Sequence, residues 1–185
     1  MKALVMLVLA SSVAFAQNKV DAAHAHSARQ TTAVMPVPKV FASALSQVKA
    51  KSRVAVLLPS KLPAAFARVK YATIQAASPN EYAIDLYYEL GIGDAGFAAF
   101  FSGEAHPDDG LADLGDVTKV KLADGLSGYF RSVSCGGSCA PANLWWMQSG
   151  TLYQIQLVLS PALPESDQEK EIVETANSAI IAGAR

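Results

Sequence analysis

The sequence predicts an α+β fold: an antiparallel sheet of about six to eight strands, with a C-terminal amphipathic helix and a short N-terminal helix packed on it. Three observations predict it. Tyr82, Ile84, Leu86 and Tyr88 alternate with Ala83, Asp85, Tyr87 and Glu89, which puts one row in a core and the other toward water. Ser149-Gly150 joins two aromatic-apolar runs, 143–147 and 151–159, with the chemistry of a tight hairpin, because glycine takes the positive φ such turns require. Ile172, Val173, Ala176 and Ile180 fall on one helical face near the C-terminus, and no regular strand-helix-strand alternation precedes them.

The chain starts with Lys2, an apolar run over residues 3–10, and Ala14-Phe15-Ala16. That is the three-part layout of a cleavable signal peptide over residues 1–16, with Gln17 as the new terminus. The apolar run is about half of the ~20 residues needed to span a bilayer. A secreted or periplasmic protein without a membrane span is therefore expected. Residues 17–36 are rich in Ala, His, Ser, Thr and Gln without apolar periodicity, the composition of a disordered leader that cannot offset its ordering entropy by burial. Met35-Pro36-Val37-Pro38 ends it as a stiff connector, since each proline fixes φ and biases its predecessor toward extended geometry. One α+β domain is expected over residues 37–185.

Within that domain, Val40, Phe41, Ala44, Leu45 and Val48 recur at helical spacing, closed by residues 49–53, and predict a helix at the edge of the sheet. Residues 53–58 are a β-branched run stopped by Pro59 and read as a strand. Residues 69–76 form the next, ended by Ser78-Pro79-Asn80, and 97–101 another, entered through glycines. Residues 106–116 are acidic and loop-like; 117–122 and 128–133 read as further strands. Ser166 with Glu169 has the spacing of a capping box ahead of the last helix.

The chain carries 15 basic and 16 acidic residues; loss of Lys2 with the signal leaves 14 against 16. No basic stripe accompanies that balance, which excludes the usual phosphate-neutralising footprint of a nucleic-acid binder. Two cysteines occur, in Cys135-Gly136-Gly137-Ser138-Cys139. In an oxidising compartment such a pair across a glycine-rich turn is expected to be bridged. A redox-active pair has two intervening residues at a helix start, where the dipole lowers one thiol's pKa. Three residues in a hairpin supply neither feature, so Cys135 and Cys139 read as a structural disulfide.

His24 and His26 sit in the leader, where composition supports a polar tail rather than a metal site. His106, Asp108, Asp109 and Asp113 are the acid-plus-histidine cluster of the loop. Acid-base work needs such groups in an apolar pocket, whereas the Pro/Gly-rich context here reads as solvated. No second Cys/His pair has zinc-ligand spacing, so neither metal nor cofactor is expected. Ser134 and Ser138 lack the elbow motif and His-Asp partners of a serine hydrolase. Trp145 and Trp146 are adjacent in a strand, so one faces the core and the other away; the outward one, with Tyr87 or Tyr129, is a possible binding surface.

The run Leu144-Trp145-Trp146-Met147-Gln148-Ser149-Gly150-Thr151-Leu152-Tyr153, followed by Ala176-Asn177-Ser178-Ala179-Ile180, resembles the end of uncharacterised secreted bacterial proteins. Arg53-Val54-Ala55-Val56-Leu57-Leu58-Pro59-Ser60 and Tyr82-Ala83-Ile84-Asp85-Leu86 look like segments of the same group. The C-terminal part is also distantly similar to extracytoplasmic domains of the MucB/RseB type, over the last quarter to third of the chain. That similarity implies a sheet with a packed helix, no catalytic residues and a role in binding lipids or proteins. The expected function is a secreted non-enzymatic binding or interaction module for a protein, lipid or carbohydrate ligand. The rival is an enzyme using the His106/Asp108/Asp109 loop or the thiol pair.

Overall fold

The computed structural model describes residues 35–91, 93–107, 111–112 and 114–185. The expected signal peptide, the leader up to residue 34 with His24 and His26, and Asp108, Asp109 and Asp113 lie outside the described residues. Val34–Arg185 gather into one compact unit.

After a 3-10 turn over Lys39–Phe41 comes α1, Ala42–Lys51. The strands are β1 Tyr71–Ser78, β2 Glu81–Tyr87, β3 Phe97–Ala105, β4 Thr118–Lys121, β5 Ser127–Arg131, β6 Ser134–Cys135, β7 Cys139–Ala140, β8 Ala142–Gln148 and β9 Thr151–Leu157, followed by α2, Glu165–Ala182. Among the described residues, seven strands form one antiparallel sheet in the order β1-β2-β3-β9-β8-β5-β4, and β6 with β7 makes a separate two-stranded ribbon. This is the α+β architecture the sequence predicts. The β8–β9 turn has positive φ at both Ser149 and Gly150, the backbone that matches the twist of a two-residue hairpin.

One face of the sheet makes the core. Ile84, Leu86, Phe101, Leu144, Ile155, Leu157 and Phe130 are buried in it with Phe41, Ala44 and Val48 from the N-terminal elements and Ile172, Ala176, Ala179 and Ile180 from α2. α1 lies against edge strand β1, and Phe41, in the turn before it, meets Phe101 of β3 edge to face at 5.2 Å. α2 crosses β8 and β9. It does not use the expected capping box: Pro164 precedes its first residue and no side chain caps it. Helical backbone begins at Glu165, so Ser166 already lies inside the first turn, beyond the position from which a hydroxyl caps.

The 53–58 run is not a strand of the sheet. It is an extended segment in the same core, with Val54, Val56, Leu57 and Leu58 buried. Tyrosine hydroxyls, rather than a strand, bond its backbone. Tyr82 Oη accepts from Leu57 N–H and donates to Leu57 C=O, both at 3.1 Å, and Tyr153 Oη donates to Ala55 C=O at 2.9 Å. On its other side the segment meets the C-terminus, where Arg185 N–H donates to Val56 C=O and the guanidinium donates to Leu58 C=O.

A glycine makes room for these tyrosines. Tyr82, Gly103, Tyr153 and Trp146 are successive cross-strand partners on the core face. A Cβ at Gly103 would lie 2.6 Å from Tyr82 Cε1 and 2.9 Å from Tyr153 Cε1, closer than carbon atoms approach. Tyr153 in turn stacks on Trp146 at 5.3 Å.

Candidate functional site

The second face of the sheet is built from the alternate residues. Register places Asp85, Phe100, Gln156, Asn143 and Arg131 in one cross-strand row, and Ser102, Gln154, Trp145, Tyr129 and Lys119 in the next. Its polar groups largely satisfy one another. Gln154 Nε2 donates to Asn143 Oδ1 at 2.8 Å, and Asn143 Nδ2 donates to Pro141 C=O at 2.8 Å. Asp85 is buried and accepts from Tyr87 Oη at 3.0 Å. Burial pushes its carboxyl above the usual range, while the bonds from Tyr87 and Gln75 oppose the shift.

The two tryptophans divide as strand alternation requires. Trp146 is 1% exposed, faces the core and stacks on Tyr153, so it leaves the expected binding surface. Trp145 faces the other way, opposite Tyr129 on β5. It is also buried, at 8% exposure, but outside the main core cluster. The Arg131 guanidinium lies over its ring, 5.2 Å from the centroid. Tyr87 belongs to the same face but to β2, four strands away from β5 in the sheet order, where it meets Phe97. The structure thus joins Trp145 with Tyr129 and separates both from Tyr87.

Arg131 was not among the residues singled out by sequence, yet it is the hinge of the site. It ends β5, and its neighbours Ser132 and Ser134 lead into the disulfide ribbon. Four antiparallel steps separate β3 from β4, so those strands run the same way. Just before β4 the chain comes beside Arg131: a Cβ at Gly115 would lie 3.7 Å from Nη2. Between these segments and the start of α2 opens a cleft of about 700 Å³, lined among others by Asp116, Thr118, Arg131, Ser132, Ser134 and Glu165. That volume is in the range of small-molecule sites.

The electrostatics are specific. Among the described residues Arg131 has neither an ion pair nor a side-chain hydrogen bond; its partner is the Trp145 ring. A guanidinium carries five donors in a fixed fork, suited to bidentate oxygen ligands. Stacking on an indole orients it without using those donors. The cleft therefore presents a positioned cation with unused donors, two carboxylates and three hydroxyls.

The remaining expected site residues lie elsewhere. Cys135 and Cys139 are disulfide-bonded, directly opposite each other in the ribbon with Cα atoms 4.0 Å apart. Both are exposed, and no free cysteine occurs among the described residues. His106 is exposed just after β3, in left-handed backbone with φ 55°, and its N–H donates to Gly150 C=O. It is not among the residues lining the cleft. No helix of the described residues is long and apolar enough to cross a membrane. A second, smaller groove of about 340 Å³ runs between residues 61–64 and α2, with Lys61, Glu171, Glu174 and Ser178 on its walls.

Fold and site together define an α+β protein with one antiparallel sheet, both helices on one face and a polar cleft at the sheet's far end. No family model, curated protein or solved structure matches the chain. The likeness to MucB/RseB-type domains stays an expectation from the sequence.

Proposed function

We propose that this chain is an exported, non-enzymatic binding module that takes a small polar ligand into the cleft beside Arg131. One observation carries the reading. A guanidinium at a cleft wall, oriented by Trp145, has its donors unmatched among the described residues. A hydrogen bond to a charged donor contributes more than a neutral one, so an oxygen ligand arriving there gains it at little ordering cost. Among the described residues serines line the cleft and no histidine does, so no Ser–His pairing of the kind that activates a hydroxyl nucleophile supports an enzymatic reading. Export follows from the signal layout over residues 1–16 and accords with the disulfide.

The test is thermal stabilisation of the purified protein by a panel of small carboxylates, phosphates, sugars and amino acids, repeated with Arg131→Gln. A ligand that binds the native state raises the melting temperature by mass action. At least one class should do so for the wild type and lose its effect in the variant. A panel without effect, or one whose effect survives in Arg131→Gln, refutes the cleft as the binding site. Terminal sequencing of the exported protein checks the address: it should begin at Gln17.

A further inference from the structure

We infer that the ligand of this cleft is a zwitterion of amino-acid type, a free amino acid or short peptide, with a basic side chain preferred. This rests on the cleft being the binding site and adds the ligand's chemistry. The lining sets one cation, Arg131, against two carboxylates, Asp116 and Glu165, and adds the hydroxyls of Thr118, Ser132 and Ser134. Neither carboxylate makes an ion pair with Arg131, and neither has another partner among the described residues. Three unmatched charges of both signs face one cavity.

A simple anion satisfies Arg131 but meets two like charges in the same cleft. A simple cation satisfies the carboxylates and is repelled by the guanidinium. A neutral sugar offers no opposite charge to any of the three, and Asp116 and Glu165, both exposed, then gain nothing over their contact with water. A ligand carrying a carboxylate and an ammonium group compensates both signs at once: its carboxylate accepts the guanidinium fork and its ammonium donates to a carboxylate of the wall. One acidic charge then remains. A second positive group on the ligand, the side chain of lysine or arginine, neutralises it. The hydroxyls serve as donors and acceptors to either end.

The experiment measures binding of L-lysine, L-arginine, glycine and the dipeptide glycyl-lysine to the purified full-length protein by calorimetry. The same measurement is made for Nα-acetyl-L-lysine, L-lysine amide and acetate. L-Lysine or L-arginine should bind more tightly than glycine. Capping either the α-ammonium or the α-carboxylate should weaken binding by about tenfold or more, the loss expected when a charge-assisted hydrogen bond is removed. Arg131→Gln should weaken the uncapped ligands by a similar factor, and Asp116→Asn with Glu165→Gln should abolish the preference for lysine over glycine. Because the capped ligands are tested on unaltered protein, the result stands even if a variant fails to fold. If acetate or Nα-acetyl-lysine binds as tightly as lysine and Arg131→Gln abolishes that binding, the zwitterion is overturned while the cleft survives. If none of the uncapped ligands binds at millimolar concentration, the zwitterion is equally overturned, and the wider panel decides the cleft. Undiminished binding of lysine to folded Arg131→Gln overturns both.

Discussion

Removing a single oxygen, in Tyr82→Phe, tests how the core is assembled. Leu57 pairs with Ala184 across an isolated bridge, and the bond from Arg185 N–H goes to Val56 rather than to Leu57. The N–H and C=O of Leu57 therefore point the other way, where both are met by Tyr82 Oη at 3.1 Å. Tyr82 is 1% exposed, and burial holds its hydroxyl in the protonated form, far above the ordinary tyrosine range. The phenylalanine ring fills the same space, so the loss is polar: a buried donor and a buried acceptor are left unmatched. At ~1–3 kcal/mol for each unsatisfied group, the variant should lose about 2–6 kcal/mol. For a domain of this size that is a drop of roughly 6–18 °C in melting temperature. Tyr153→Phe removes one bond, to Ala55 C=O, and should cost less, about 1 kcal/mol. The assay is urea unfolding followed by tryptophan fluorescence, with amide exchange at Leu57 as a local readout; the midpoint should fall while the slope stays constant. A loss under ~1 kcal/mol with Leu57 still protected would show that the Tyr82 hydroxyl does not hold the 53–58 segment, which its apolar side chains and its other hydrogen bonds then secure.

Ile172, on the inner face of α2, is fully buried, so Ile172→Asp should cost several kcal/mol by placing a carboxylate in the core, roughly 3 or more; an unchanged melting temperature would make the helix peripheral. Replacing Cys135 and Cys139 by serine opens a disulfide-closed loop of only four residues' separation, and should cost less than the ~3 kcal/mol associated with a loop of about 15 residues. Native thiol titration of the wild type should find no free thiol, and catalysis of disulfide exchange would contradict a structural role. Asp85 predicts an unusual pH dependence. Its folded-state value is raised, mainly by burial, so the native state holds the proton better than the unfolded chain does. That contribution is full below the unfolded value of ~3.9 and is lost as pH rises through the folded value. Asp85→Asn should therefore stabilise the protein at pH 7 and have little effect near pH 3 or below (roughly, from the same reference value). Equal effects at both pH values would assign the change to packing instead.

Local chemistry was legible wherever the chain settles its own geometry. The β8–β9 turn depends on Ser149-Gly150, and the buried stripe of α2 on Ile172, Ala176 and Ile180; both can be read in a short window. The 53–58 run shows the limit. A β-branched stretch has the same appearance whether its backbone bonds a neighbouring strand or a side chain, and here the partners are Tyr82 and Tyr153, 25 and 98 residues away from the groups they bond. Even the space those tyrosines occupy depends on Gly103, on a third strand.

Arg131 hides for the same reason. An arginine at the end of a strand is unremarkable in sequence, and the tryptophan that orients it lies 14 positions on, brought beneath it by the β5–β8 register. The carboxylates of the cleft come from the far side of the connection into β4 and from the start of α2. Sequence reasoning reached Trp145 and Tyr129 because aromatic residues advertise a surface by type. It missed the arginine because what distinguishes that residue is its surroundings, the Trp145 ring and donors unmatched among the described residues, and these emerge only once the neighbouring elements have been placed. The stack should consequently respond as a pair: Trp145→Phe keeps a ring beneath Arg131 and should retain most ligand affinity, whereas Trp145→Ala releases the guanidinium and should weaken binding without touching the ligand. Equal losses in the two variants would mean that the indole serves packing rather than orientation.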